Sequence, residues 1–153
     1  MKTLVLGASG TTGRLLVEQL LNQDVELTAI VRSLDALPDN PKLFKIQASV
    51  HSLTSSEMAD HIKGCNAVVS CLGHNLTFTG MFGSPKLLVT ETLQCICKAI
   101  ASLGLDHPIN VVLMNTTGNS NRDIPEKPPL SQRIVVSIIR AMLPPHLDNE
   151  KAA

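Results

Sequence analysis

The sequence contains no tryptophan and no tyrosine, and phenylalanine occurs only at Phe44, Phe78 and Phe82. Without a phenol, any general acid must be of another kind. Charge of one sign is also missing: 13 basic residues balance 13 acidic ones, so no net field draws the chain to nucleic acid or to an anionic membrane. Cys65, Cys71, Cys95 and Cys97 include no CxxC pair, and Cys95 and Cys97, two apart on a predicted helix, point in different directions. Four small buried hydrophobes are expected of them rather than a metal site or a disulfide. No apolar run approaches a membrane span, and the first strand starts almost at Met1, which leaves no room for a signal peptide; a cytoplasmic location is the expectation.

Two catalytic signatures are absent as well. Gly7-Ala8-Ser9-Gly10-Thr11 is not a Gly-x-Ser-x-Gly elbow, because position 11 is threonine, and no Gly-Lys-Ser/Thr exists for a nucleoside-triphosphate loop. What remains, 153 residues that are 44% apolar and 17% charged, fits one globular domain with a sizeable core.

The feature that organises the chain is the turn Gly7-Ala8-Ser9-Gly10-Thr11-Thr12-Gly13, set between the apolar run Thr3-Leu4-Val5-Leu6 and the apolar-striped stretch 14–22. Strand, glycine turn and helix in that order are what a dinucleotide pyrophosphate requires. Gly7 turns the chain out of the strand, Gly10 brings bare backbone against a phosphate, and Gly13 lets the helix pack closely on the sheet. Free amides at the helix start then face the anion. Ser9 and Thr12 are expected to contact phosphate, with which a helix N-cap role for one of them is compatible. The competing reading is a turn that needs glycine for packing alone.

A second β-rich run, 25–31, completes a β-α-β unit. Where an NAD site would carry an acid for the ribose 2′-hydroxyl, the chain has Arg32-Ser33. A guanidinium suits a 2′-phosphate, so NADP(H) is favoured over NAD(H), although Asp35 reaches a ribose if the loop folds back. Further strands are expected at 43–48, 67–72 and 109–114, with a helix capped by Thr54 or Ser55 and ending near Gly64. A long helix is expected from Pro85 to about Leu103, and another carries Ile134, Val135, Ile138, Ile139 and Met142. Strands alternating with helices imply an α/β, Rossmann-like, doubly wound parallel sheet of about five strands, in which ligands bind beyond the carboxyl ends of the strands. His74, directly after strand four, is placed to donate a proton or to serve only the loop. Thr116 and Thr117 either bond a substrate carbonyl or close strand five.

Gly7 to Arg14, Val31-Arg32-Ser33 and the run Gly64-Cys65-Asn66-Ala67-Val68-Val69-Ser70-Cys71-Leu72-Gly73 resemble the atypical short-chain dehydrogenase/reductases. The nearest likeness is to their NAD(P)H-binding group, which includes NmrA-like proteins and the biliverdin/flavin reductase type. That resemblance implies that the backbone of Gly10, Thr11 and Thr12 holds the pyrophosphate and Arg32 the 2′-phosphate. Leu72, Gly73 and His74 would lie along the ribose and nicotinamide, and Thr116 or Thr117 near the family's fifth-strand hydroxyl. Ala48-Ser49 stands where many relatives have Gly-Asp, so Ser49 replaces an acid near the adenine. The family's Tyr-x-x-x-Lys pair is impossible here. The fifth apolar run would form a sheet edge in the order 3-2-1-4-5. Either the chain is a C-terminally truncated NAD(P)-binding domain, 1–153, lacking the substrate-binding part, or another copy covers that edge as a homodimer.

Two functional classes follow. One is an NADP-dependent oxidoreductase that reduces a small carbonyl, quinone or flavin-type acceptor, with the substrate itself unknown. The other is a non-catalytic, NmrA-like module that senses the cofactor, with an inactive remnant as a third outcome.

Overall fold

The apolar runs become five strands: β1 Lys2–Leu6, β2 Glu26–Val31, β3 Leu43–Gln47, β4 Ala67–Ser70 and β5 Asn110–Leu113. The computed structural model describes residues 1–73 and 87–114, together with Pro129, Leu130 and Asp148. The expected helix over 134–142 lies outside these residues. By internal contacts the chain divides into two units, Met1–Leu72 with Thr92–Met114, and Gly73–Glu91 with Asn115–Ala153.

All pairings are parallel and the sheet order is β3-β2-β1-β4-β5. Parallel strands need crossover connections: the helices α1 Thr11–Asn22, α2 Ser55–Ile62 and α3 Leu88–Ser102 lie in those that follow β1, β3 and β4, whereas the connection from β2 to β3 holds only the 3-10 turn Leu34–Ala36. The central strand β1 is buried from Thr3 to Leu6, as a strand covered on both faces must be. Its side chains alternate between faces. Leu4 and Leu6 pack with Ile30, Val68, Met58, Ile62 and Ile96, the face covered by α2 and α3. Val5 packs with Leu27, Ala29, Val31 and Val17, the face covered by α1. Each fully buried aliphatic side chain contributes roughly 1.5–3 kcal/mol of transfer free energy. The register that pairs Leu4 with both Thr28 and Val68 fixes which side chains reach which face.

Some boundaries differ from the sequence reading. Helix α1 begins at Thr11, inside the glycine turn, and its N-cap is Gly10 with no side-chain capping bond. Neither Ser9 nor Thr12 takes the N-cap role open to them. The Gly10 carbonyl takes the Arg14 amide at 2.9 Å, the first bond of the helix, and the Gly10 amide itself donates to Gly7 O at 3.0 Å, while the amides that a capping side chain would engage stay free. Strand β4 stops at Ser70, although the Cys71 amide still reaches Leu6 O at 2.9 Å. Of the two candidates for the α2 cap, Thr54 holds it, in a reciprocal capping box with Glu57.

Strand β5 is the outer strand of the described sheet, with Val111 38% and Val112 53% exposed. The cysteines are corrected in part: Cys65 is buried, Cys71 and Cys95 are half-buried, and Cys97 is exposed. Cys97 follows Cys95 by two positions on α3, and a helix turns such residues to different sides. In the second unit, Asp148 is buried and caps the start of α3. Its Oδ2 accepts the Val89 amide at 2.8 Å and its Oδ1 the Thr90 amide at 3.0 Å.

Candidate functional site

The carboxyl ends of β1, β2, β3 and β4 carry the turn 7–13, Arg32-Ser33, Ala48-Ser49 and Cys71-Leu72 respectively. Parallel pairing in one sheet puts all four at the same edge, where open α/β sheets bind their ligands. The three glycines of the turn do different work. Gly7 has φ +70°, and a Cβ there would lie 2.6 Å from the Cys71 carbonyl oxygen and 2.9 Å from the Leu72 amide nitrogen. The turn thus packs directly on the end of β4. A Cβ on Gly13 would lie 2.1 Å from Gly7 O and 2.8 Å from Ala8 Cα, so the helix touches the turn backbone with no room for a side chain.

Gly10 is under no such pressure. Its φ is −72°, and its nearest would-be contact is Gly7 O at 3.3 Å. It is exposed, as are Thr11 and Thr12. Packing accounts for Gly7 and Gly13, and leaves Gly10 as the position where bare backbone faces outward.

As the first residues of α1, Thr11 and Thr12 carry amides with no intrahelical acceptor, and among the described residues no other group accepts from them. The first turn of α1 holds no acid. Free amides at the positive end of a helix dipole, with no carboxylate competing, fit a phosphate. Gly10 and the Thr11 and Thr12 amides would hold the pyrophosphate of a nicotinamide dinucleotide, which when bound would supply hydride chemistry.

Arg32 follows the last residue of β2 and is exposed, with its carbonyl accepting from Gln47 Nε2 at 3.3 Å. The ion pairs among the described residues are Lys42 with Asp24 and Lys45 with Asp39, so the Arg32 guanidinium is committed to no carboxylate there. Ser33 precedes a single 3-10 turn, Leu34–Ala36, that contains Asp35. Past β3, Ser49 Oγ and His51 Nδ1 share a hydrogen bond of 2.9 Å, and the Ser52 hydroxyl donates to Ser49 O at 2.8 Å. Ser49 was singled out by its sequence but its pairing with His51 was not; the Ser-x-His spacing is the signal that it carries.

Leu72 is half-buried, while Gly73 is exposed with open space around a would-be Cβ. His74, Thr116 and Thr117 lie outside the described residues. Burial pushes the Cys71 thiol above its ordinary pKa, and likewise that of Cys65 despite the opposing charge of Lys2. Neither is poised as a nucleophile. No helix among the described residues is long and apolar enough to cross a membrane.

A parallel β3-β2-β1-β4-β5 sheet with a glycine turn opening α1 defines a Rossmann-like α/β dinucleotide-binding fold. Residues 7–152 match the model of the NAD(P)H-binding family, and the chain belongs to that family. This bears out the NAD(P)H-binding part of the resemblance. No curated protein sequence matches the chain significantly. Similar solved structures include the oxidoreductase ylbE from Lactococcus lactis, at TM-score 0.70 and 17% identity, covering 99% of this chain and 61% of that one. SP1627 from Streptococcus pneumoniae TIGR4, a candidate NADH-flavin reductase, aligns at TM-score 0.60 and 19% identity over 99% of this chain and 63% of its own. The Bordetella bronchiseptica enzyme WbmG in complex with NAD aligns at TM-score 0.66 and 15% identity, over 99% and 47%. The chain spans about three-fifths of the length of the first two and about half of the third.

Proposed function

We propose that the chain binds NADPH in preference to NADH and acts in an NADP-dependent oxidoreductase. The hydride acceptor would be a small carbonyl, a quinone or a flavin-type compound. The observation that carries the preference is Arg32. It is exposed immediately after β2 and has no carboxylate partner among the described residues. An acid at the end of this strand would select a ribose 2′-hydroxyl, whereas a guanidinium matches a phosphate. A charge-assisted contact of this kind is worth roughly 1.5–3 kcal/mol, on the order of 10- to 150-fold in affinity.

In this reading the chain binds and orients the dinucleotide. Gly10, Thr11 and Thr12 hold its pyrophosphate, Arg32 and Ser33 its 2′-phosphate, Ser49 its adenine side, and Leu72 and Gly73 its ribose and nicotinamide. A proton would come from His74, Thr116 or Thr117. Calorimetric titration with NADPH and NADH tests the preference. Tighter NADPH binding that Arg32→Glu abolishes supports it, and equal affinities would remove it.

The absence of tyrosine favours a second reading, a non-catalytic module that senses the cofactor. Following NADPH absorbance with carbonyl, quinone and flavin acceptors separates the two. Tight binding without oxidation is the signature of the sensor.

A further inference from the structure

We infer that Arg14 is the cation for the pyrophosphate shared by NADH and NADPH, whereas Arg32 answers only the 2′-phosphate. This inference rests on the cofactor reading above and adds to it a division of labour between two arginines. Arg14 is the fourth residue of α1, and its amide makes the first intrahelical bond, to Gly10 O. Its side chain leans back toward the helix start, as helical side chains do, and Nε donates to Ser9 O at 3.0 Å.

That bond has two consequences at the phosphate turn. It occupies the Ser9 carbonyl, an acceptor in the turn that precedes the Thr11 and Thr12 amides. It also ties the guanidinium to the turn backbone while using a single N–H of the five that arginine carries. The terminal nitrogens have no partner among the described residues, and neither ion pair found there involves Arg14.

The sign of the charge is informative. A helix start favours an acid and disfavours a cation, yet the first turn of α1 contains no acid and is followed by an arginine. For the stability of the free helix this is the wrong charge. For an anion held against the helix start it is the right one. Arg32 stands at the end of a different strand and meets a different part of the ligand, so the two side chains are expected to act independently.

ADP and adenosine 2′-monophosphate separate the roles, since the first carries the pyrophosphate without the 2′-phosphate and the second the reverse. Calorimetry at low salt is expected to show Arg14→Gln weakening NADPH, NADH and ADP by the same factor, about tenfold, with adenosine 2′-monophosphate unchanged. Arg14→Lys, which keeps the charge, should recover most of the loss, and added salt should shrink it. Arg32→Gln should weaken NADPH and adenosine 2′-monophosphate and spare NADH and ADP. Thermal melting completes the test: Arg14→Glu, which places an acid near the helix start, is expected to melt no lower than the unsubstituted chain while binding ADP least. A selective loss of NADPH in Arg14→Gln, or unchanged ADP binding, overturns the inference and leaves the cofactor reading intact. An unsubstituted chain that binds neither dinucleotide overturns both.

Discussion

A methyl group on Gly13 would come within 2.1 Å of the Gly7 carbonyl oxygen. Two glycines six positions apart therefore hold strand β1 and helix α1 in contact. Gly13→Ala is expected to destabilise the fold by about 1–3 kcal/mol through overpacking. Gly7→Ala adds the strain of a positive φ to a close approach on Cys71. Gly10→Ala, whose Cβ meets Gly7 O only at 3.3 Å, should cost at most about 1 kcal/mol of stability and yet lose dinucleotide affinity. Thermal melts and titrations of the three variants check this ordering. A Gly10→Ala chain that binds normally would show that the exposed backbone is not where the phosphate sits.

The start of α2 carries a pH dependence. Thr54 N and Oγ1 donate to Glu57 Oε2 at 2.8 and 2.7 Å, and the backbone bond first, then the hydroxyl, hold the Glu57 carboxyl below the ordinary glutamate range. A pKa lowered by folding contributes stability that is fully present above the unfolded value, about 4.3. It is lost as pH falls through the lower folded value. Glu57→Gln should therefore lower the melting temperature at pH 7, and the gap should narrow as pH falls below the unfolded value and through the lower folded one. A gap that keeps the same size over that fall would contradict the assignment.

Buried hydroxyls offer a stabilising substitution. Among the described residues Thr3, Thr28 and Thr92 have buried Oγ1 atoms with no hydrogen-bond partner. An unpaired buried hydroxyl costs free energy that an apolar group of similar shape does not. Thr28→Val is expected to raise stability by up to about 1 kcal/mol, read from urea unfolding midpoints at constant slope. A lowered midpoint would mean that the hydroxyl is satisfied.

Asp148 reaches α3 across 59 residues of sequence to bind the Val89 amide, and its Oδ1 also accepts the Thr90 hydroxyl at 2.6 Å. Asp148→Ala is expected to cost about 1–2 kcal/mol, the usual range for losing a helix cap. Hydrogen exchange at Val89 and Thr90 should accelerate with it. Unchanged protection at both amides would show that the cap does not hold the helix start.

Local patterns made most of the fold legible. Most strands announced themselves as apolar or β-rich runs, and the start of α2 was narrowed to a cap at Thr54 or Ser55 with Glu57 in the first turn, because the partners lie within one turn. The edge position of β5 followed from strand order alone. The start of α1 was missed by three residues because cap signals are side-chain signals and Gly10 caps without one. The glycine turn and Arg32 were legible as candidate site residues, being tied to strand ends. The Arg14 bond to Ser9 was not, because it runs from a side chain to a backbone carbonyl, which no residue type marks. Nor was Asp148, whose partners are distant in the chain and set by the fold.

Calorimetric titration of the unsubstituted chain and of Arg32→Glu with NADPH and NADH tests the central claim most directly. The account predicts that NADPH binds on the order of 10-fold or more tighter than NADH, and that Arg32→Glu removes the difference while leaving NADH binding in place. Equal affinities for the two dinucleotides, or an Arg32→Glu chain that still prefers NADPH, would contradict it.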